Sequence, residues 1–149
     1  MLGGLARWLR AAGYDAGFAP RIDDGALVAR ALRERAVLLT SDGPLMERRK
    51  VTSGEVRALF VPRARPVLEQ TAFVLRTMTL TVLDVPRCMR CGGLLQEASR
   101  ESVVGDVPAA SLAAFDTFYR CERCARVLWR GSHWAGIESR LAQLVRETS

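Results

Sequence analysis

No apolar run in this 149-residue chain reaches the ~20 residues that a helix needs to cross a bilayer, so no membrane partner is expected. A secretory leader is not expected either, because Arg7 and Arg10 interrupt the first apolar stretch. There is no low-complexity tract, and no internal repeat beyond two paired-cysteine motifs. An apolar fraction of 49% with 26% charged residues carries no disorder signature. Together these absences lead to the expectation of a globular, cytoplasmic protein, either one ordinary domain or a small domain with an appended module. Lysine is nearly absent as well: Lys50 stands alone among 22 basic residues, the rest being arginine. Genomic base composition can produce that bias, yet arginine is also the side chain suited to bidentate phosphate contacts. With a formal charge of +6, nucleic acid is a reasonable partner class.

The opening MLGGLARWLRAAGYD sets Leu2, Leu5, Leu9 and Ala12 at helical spacing and stops at Gly13. An amphipathic helix over 2–12 therefore begins almost at the first residue. In DDGALVARALRERA, Asp23 or Asp24 can cap a second helix with Leu27, Ala31 and Leu32 along one stripe. AVLLTS (36–41) has the short apolar form of a buried parallel strand, and VRALFV (56–61) is a second candidate. Between them, 42–50 reads as a loop and short helix. Pro66 opens a helix to about Met78, with Leu68, Ala72 and Leu75 inward. This alternation predicts an α/β fold with a mainly parallel sheet. Near Asp84 the character changes to short strands and turns, followed by a helix from Ser132 to about Val145 carrying Ile137, Leu141, Leu144 and Val145. A boundary at 84–87 divides the chain into an α/β domain, 1–86, and a cysteine-bearing module, 87–149.

All four cysteines lie in that module, as CMRC (88–91) and CERC (121–124), separated by 29 residues. A two-residue gap lets both thiolates of each pair face one ion, so Cys88, Cys91, Cys121 and Cys124 can complete a tetrahedral site. Zinc is the expected occupant, although iron would use the same ligands. Disulfides are not expected in a chain without an export signal. Four protein ligands leave no position for water, so the site would be structural. Six arginines, Arg87, Arg90, Arg120, Arg123, Arg126 and Arg130, crowd the two pairs. They either offset the anionic thiolates or form a ridge facing phosphates, with Arg90 and Arg123 as the candidate nucleic-acid contacts.

The first half offers a second kind of chemistry. LLTSD (38–42) ends a strand in Asp42, and ligands of open parallel sheets bind beyond the carboxyl ends of strands. Asp23 and Asp24 head the preceding helix and can lie nearby. Carboxylates gathered there would hold a divalent cation suited to phosphodiester cleavage. The plainer reading makes Asp24 a helix cap and Asp42 a turn residue. His133, the only histidine, sits in GSHW and suits a packing or capping role better than catalysis. Trp8, Trp129 and Trp134 could stack on bases, but each falls in an apolar pattern typical of core.

In combination, MLGGLARWLRAAGYD, the DD before a helix, LLTSD, RCMRCGG and the second cysteine pair running into GSHW resemble the Mut-seven C-terminal RNase domain family across nearly the whole chain. The resemblance implies a PIN-like nuclease fold fused to a zinc ribbon, with RNA cleavage dependent on magnesium or manganese. It implies that Asp42 and Asp24, with Asp23 adjacent, are catalytic acids and that the four cysteines hold zinc. It also implies a strand ahead of the first helix, bearing a further acid. Since the chain starts at that helix, the expectation is a PIN-like domain without its first strand and a site short of one carboxylate. Three functions stand open: a ribonuclease, a non-catalytic module binding RNA, with ribosome or tRNA as its target, or a protein-interaction adaptor that meets no nucleic acid.

Overall fold

In the computed structural model residues 2–148 are described, for Thr148 the backbone only. The first helix, α1 (Gly3–Ala11), buries Leu5, Ala6, Leu9 and Ala11, the face its spacing predicts. It stops at Gly13, whose φ of +108° is open to glycine; a Cβ there would also lie 2.7 Å from that of Leu83. The next helix, α2 (Asp24–Glu34), is capped by Asp23, which accepts from the Ala26 amide at 2.9 Å. Its buried residues are Val28 and Ala31, while Leu32 is 38% exposed. Of the expected stripe, Ala31 is buried and Leu27 packs against the same cluster, while Val28 joins it and Leu32 does not.

Strands β1 (Leu38–Thr40) and β2 (Ala58–Phe60) pair in parallel, Leu38 beside Ala58 and Thr40 beside Phe60. Two single-turn helices, α3 (Gly43–Met46) and α4 (Arg49–Thr52), fill the crossover between them. Helix α5 (Val67–Thr77) follows. It buries Gln70, Thr71, Val74 and Leu75, whereas the expected Leu68 and Ala72 are only half-buried. Two polar residues occupy that inner face because each is satisfied locally. Thr71 donates to the Val67 carbonyl at 2.8 Å, and Gln70 donates to that of Pro62 at 3.2 Å.

A second sheet, antiparallel in the order β3-β4-β5, comprises β3 (Leu95–Ala98), β4 (Phe118–Cys121) and β5 (Val127–Trp129). The segment between β3 and β4 carries a 3-10 turn at Glu101–Val103 and α6 (Ala109–Ala114). Arg100 fastens it by donating to the carbonyls of Leu112 and Phe115. Val103, Val107 and Phe118 form the small core beneath.

The last helix, α7 (Ser132–Thr148), returns to the first half. Its Leu141 and Leu144 join Leu5, Leu9, Val61, Val74 and Leu75 in the largest apolar cluster. Val145, expected inward, is 42% exposed. The segment expected as a boundary is also bound to α1: the Leu83 amide donates to the Ala12 carbonyl and that of Arg87 to the Arg10 carbonyl. These bonds satisfy orphan carbonyls at the end of α1.

Candidate metal centre and acidic sheet edge

The pairing of β3 with β4 places the cysteine pairs together. Leu95 lies opposite Cys121, so the turn before β3 meets the turn that joins β4 to β5. The four sulfurs lie within 4.8 Å of one another, Cys88 and Cys124 at 3.7 Å and Cys91 and Cys121 at 3.4 Å. All four are free thiols. Four sulfurs placed tetrahedrally at a metal–sulfur distance of ~2.3 Å stand about 3.8 Å apart, close to these separations. The amides of Gly93, Arg123 and Cys124 point at the sulfurs of Cys91 and Cys121, at 3.4, 3.4 and 3.5 Å. Such amides stabilise thiolate charge. The residues present therefore fit a four-thiolate metal ion, and the three-stranded ribbon with its two cysteine turns is a zinc-ribbon fold.

Burial pushes the Cys91 thiol up to about 12; the Gly93 amide opposes this, and the neighbouring sulfurs add to it. Burial is likewise the largest influence on Cys121, but the Cys124 and Arg123 amides and two neighbouring thiols outweigh it and bring that group down to about 7. Cys88 is raised, by burial foremost.

Gly93 is held to glycine by the centre itself. A Cβ there would lie 2.6 Å from the Cys121 sulfur and 2.7 Å from the Arg123 Cβ. Gly93→Ala is expected to displace Cys121 and weaken metal retention by about 10- to 100-fold, the scale seen for disturbed metal surroundings. Competition with a chromophoric chelator measures it, and unchanged retention would show that the second turn can move freely.

The first half meets this centre through α1. Arg10 donates to the Ala16, Met89 and Arg90 carbonyls at 2.7, 3.1 and 3.3 Å, clamping the first cysteine turn. Asp15 lies 3.8 Å from both Arg87 and Arg123. Sequence reasoning missed both residues; the only signal for Arg10 was a cation next to the buried stripe of an amphipathic helix.

Asp42 follows β1 at its carboxyl end. The Thr40 hydroxyl accepts from the Asp42 amide at 3.0 Å, and the Ser41 hydroxyl donates to the Val61 carbonyl at 2.6 Å. The turn is thus fixed, while the half-buried Asp42 carboxylate has no partner among the described residues. Asp42 lines a groove of about 1290 Å³ between α1, residues 14–20, α2 and β1. The groove wall is apolar along Leu2, Leu5, Leu9, Leu39 and Leu80.

Gly4 of α1 packs against Val67 at the start of α5, a Cβ on Gly4 lying 3.1 Å from that side chain.

The other two acids are engaged. Asp23 caps α2, and Asp24 lies 3.7 Å from Arg48 in a half-exposed ion pair. Among the described residues, the four cysteines are the one group of three or more ligand side chains close enough to share an ion, so Asp23, Asp24 and Asp42 do not form such a group.

The arginines divide in the same manner. Arg123 donates to the Cys91 carbonyl at 2.9 Å, Arg87 to that of Gly92 at 3.0 Å and Arg120 to that of Ala125 at 2.9 Å. Arg90 and Arg126 have exposed side chains with no hydrogen bond or ion pair among the described residues. His133 is exposed on the first turn of α7 and does not pack inside. Trp134 is core, its indole N–H bound to Glu138 at 2.6 Å, while Trp8 and Trp129 are half-buried.

No curated protein and no solved structure matches this chain. A family model does match, that of the Mut7-C RNAse domain, over residues 1–141, and the chain, which combines an acidic α/β sheet edge with a four-cysteine ribbon, belongs to that family.

Proposed function

We propose that the protein is a divalent-metal-dependent ribonuclease acting on RNA in the cytoplasm, with structural zinc in the four-cysteine centre. Membership of an RNase family supports the substrate class. The observation that carries the chemistry is Asp42, a half-buried carboxylate without a partner among the described residues at the mouth of a large groove. Magnesium or manganese held there would lower the pKa of a bound water and stabilise the leaving oxygen. Asp42 is the first ligand; Asp24 joins it when released from Arg48, and Asp23 orders the start of α2. Residues 1–86 supply this chemistry, and 87–149 supply the ribbon.

Cleavage of a fluorogenic single-stranded RNA with manganese is the test. Asp42→Asn is expected to slow it by about 100-fold or more, since metal stabilisation of the transition state is worth several kcal/mol. Equal cleavage by both proteins at equal zinc content would remove Asp42 from the mechanism. The engagement of Asp23 and Asp24 favours a second reading, a non-catalytic protein binding ribosomal RNA or tRNA. That reading requires RNA binding without cleavage at any divalent-metal concentration.

A further inference from the structure

The ribonuclease reading leaves one large cavity unused. A cleft of about 1030 Å³ lies between α1, residues 82–90, β5 and the start of α7, at the upper end of the range for ligand sites. It opens on the other face of α1 from the acidic groove: Leu5 and Leu9 line the groove, whereas Arg7 and Ala11 line the cleft. We infer that this cleft binds single-stranded RNA, taking phosphates on Arg7, Arg90 and Arg126 and a base against Trp129 and His133. The inference rests on RNA being the substrate class, and it adds a site away from the Asp42 edge.

Charge is the first support. Arg7, Arg90 and Arg126 are exposed, line the cleft, and make no hydrogen bond or ion pair among the described residues. Of the acids on its wall, Asp106 is held by Arg120 at 3.1 Å and Glu138 by Arg130 at 2.6 Å. That leaves Asp84 as the one wall acid without a side-chain partner among the described residues. Three uncommitted guanidiniums against one uncommitted carboxylate make the cleft attractive to a polyanion.

The arginines stand on fixed backbone. The Arg90 carbonyl accepts from Arg10 at 3.3 Å, the Arg126 carbonyl accepts from the Cys121 amide at 2.8 Å, and Arg7 is within α1. Their spacing is thus set by the folded core and the cysteine centre, which lowers the ordering cost of binding.

Aromatic groups supply the second support. Trp129 is half-buried at the end of β5 with its indole edge over Gly131, where a Cβ would lie 3.1 Å from Nε1. Unlike Trp134, its N–H has no acceptor among the described residues, and Trp and Tyr N–H and O–H groups usually find one when buried. His133 is exposed beside it, on a turn where the α7 amides begin. Cations together with a half-exposed indole and an exposed imidazole match unstacked bases on a phosphate backbone, and a duplex hides its base faces.

Fluorescence anisotropy of a labelled uridine oligomer, in the Asp42→Asn background so that the RNA survives, tests the site. Replacing Arg7, Arg90 and Arg126 together by alanine is expected to weaken binding by at least about tenfold and to lower the salt slope by about 2, at ~0.7 per single-strand phosphate contact. Arg90→Gln and Arg126→Gln, made singly, should each lower the slope by about 0.7, and these surface changes should leave zinc content and melting unaltered. Unchanged affinity and slope in all of these variants, with the parent still binding, would overturn the cleft and leave the ribonuclease reading standing. A parent that binds no RNA would overturn both. A duplex that binds as tightly as the single strand would overturn the stacking role of Trp129 and His133, and with it this site.

Discussion

Removing metal from the four-cysteine centre is expected to unfold residues 88–131 while most of the main core survives. Beneath the antiparallel sheet only Val103, Val107 and Phe118 are deeply buried, too little apolar surface to hold three short strands alone. Structural zinc contributes about 10–16 kcal/mol to the folding of such modules, far more than the net stability of an ordinary domain. By contrast, Leu5, Leu9, Val74, Leu141 and Leu144 pack on one another, and Met89 is the one residue of the cysteine turns among the side chains packed against them. Chelation, or Cys121→Ser, should therefore remove the antiparallel share of the strand signal and open the 99–117 segment to protease while α1, α5 and α7 stay helical. The loss should depend on pH in a definite direction. The metal-free centre keeps Cys91 protonated up to about 12 and Cys88 also above its usual range, so both thiols carry protons at neutral pH. Metal binding expels them, so affinity should rise by at least about 100-fold per pH unit between pH 6 and pH 8, tenfold for each of these two thiols. The Cys121 thiol, brought down to about 7, adds to this slope only below neutrality. An antiparallel sheet that melts unchanged in Cys121→Ser would exclude a structural role for the metal.

Patterns that depend on neighbours in the chain were legible from the sequence. The stripe of α1, the strand ending in Asp42 and the two cysteine pairs each follow from spacing and local chemistry, and the structure has all three. Inward faces were harder where polar residues occupy them. Thr71 and Gln70 are buried because of carbonyls at Val67 and Pro62, and no apolar periodicity announces such bonds. Leu32 is exposed because α2 has β1 and α3 on one side only, a fact of tertiary packing rather than of the helix. The union of α7 with α1 and α5 was equally hidden: Leu141 and Leu144 show an apolar face without showing what covers it. Arg10 illustrates the same limit, since its acceptors at Met89 and Arg90 lie far along the chain.

The free edge of β1 carries the second large prediction. In the parallel ladder the Leu38 amide donates to the Arg57 carbonyl and the Thr40 carbonyl accepts from the Val61 amide, each at 2.8 Å. Leu38 and Thr40 thus turn their backbone groups toward β2, and alternation turns those of Leu39 into the groove. A parallel sheet is stable when it is covered and continued, and here one edge meets an apolar trough instead. The geometry suits one more parallel strand. It would bond to Leu39, cover Leu2, and end beside Asp42 near the start of α1. Joining a short apolar strand that ends in aspartate ahead of Met1 is expected to fill that trough. A second carboxylate beside Asp42 should tighten manganese binding by roughly 10- to 100-fold, at least the scale on which single groups around a metal act. RNA cleavage should rise with it, and Asp42→Asn in the extended protein should cancel both gains. Replacing the added aspartate by asparagine should keep the gain in thermal stability from strand pairing and lose the gain in manganese affinity. That split separates filling the groove from building the metal site. If the extended protein melts at the same temperature as the parent and binds manganese no better, the edge of β1 does not accept a strand, and Asp42 must draw its partners from Asp23 and Asp24 alone.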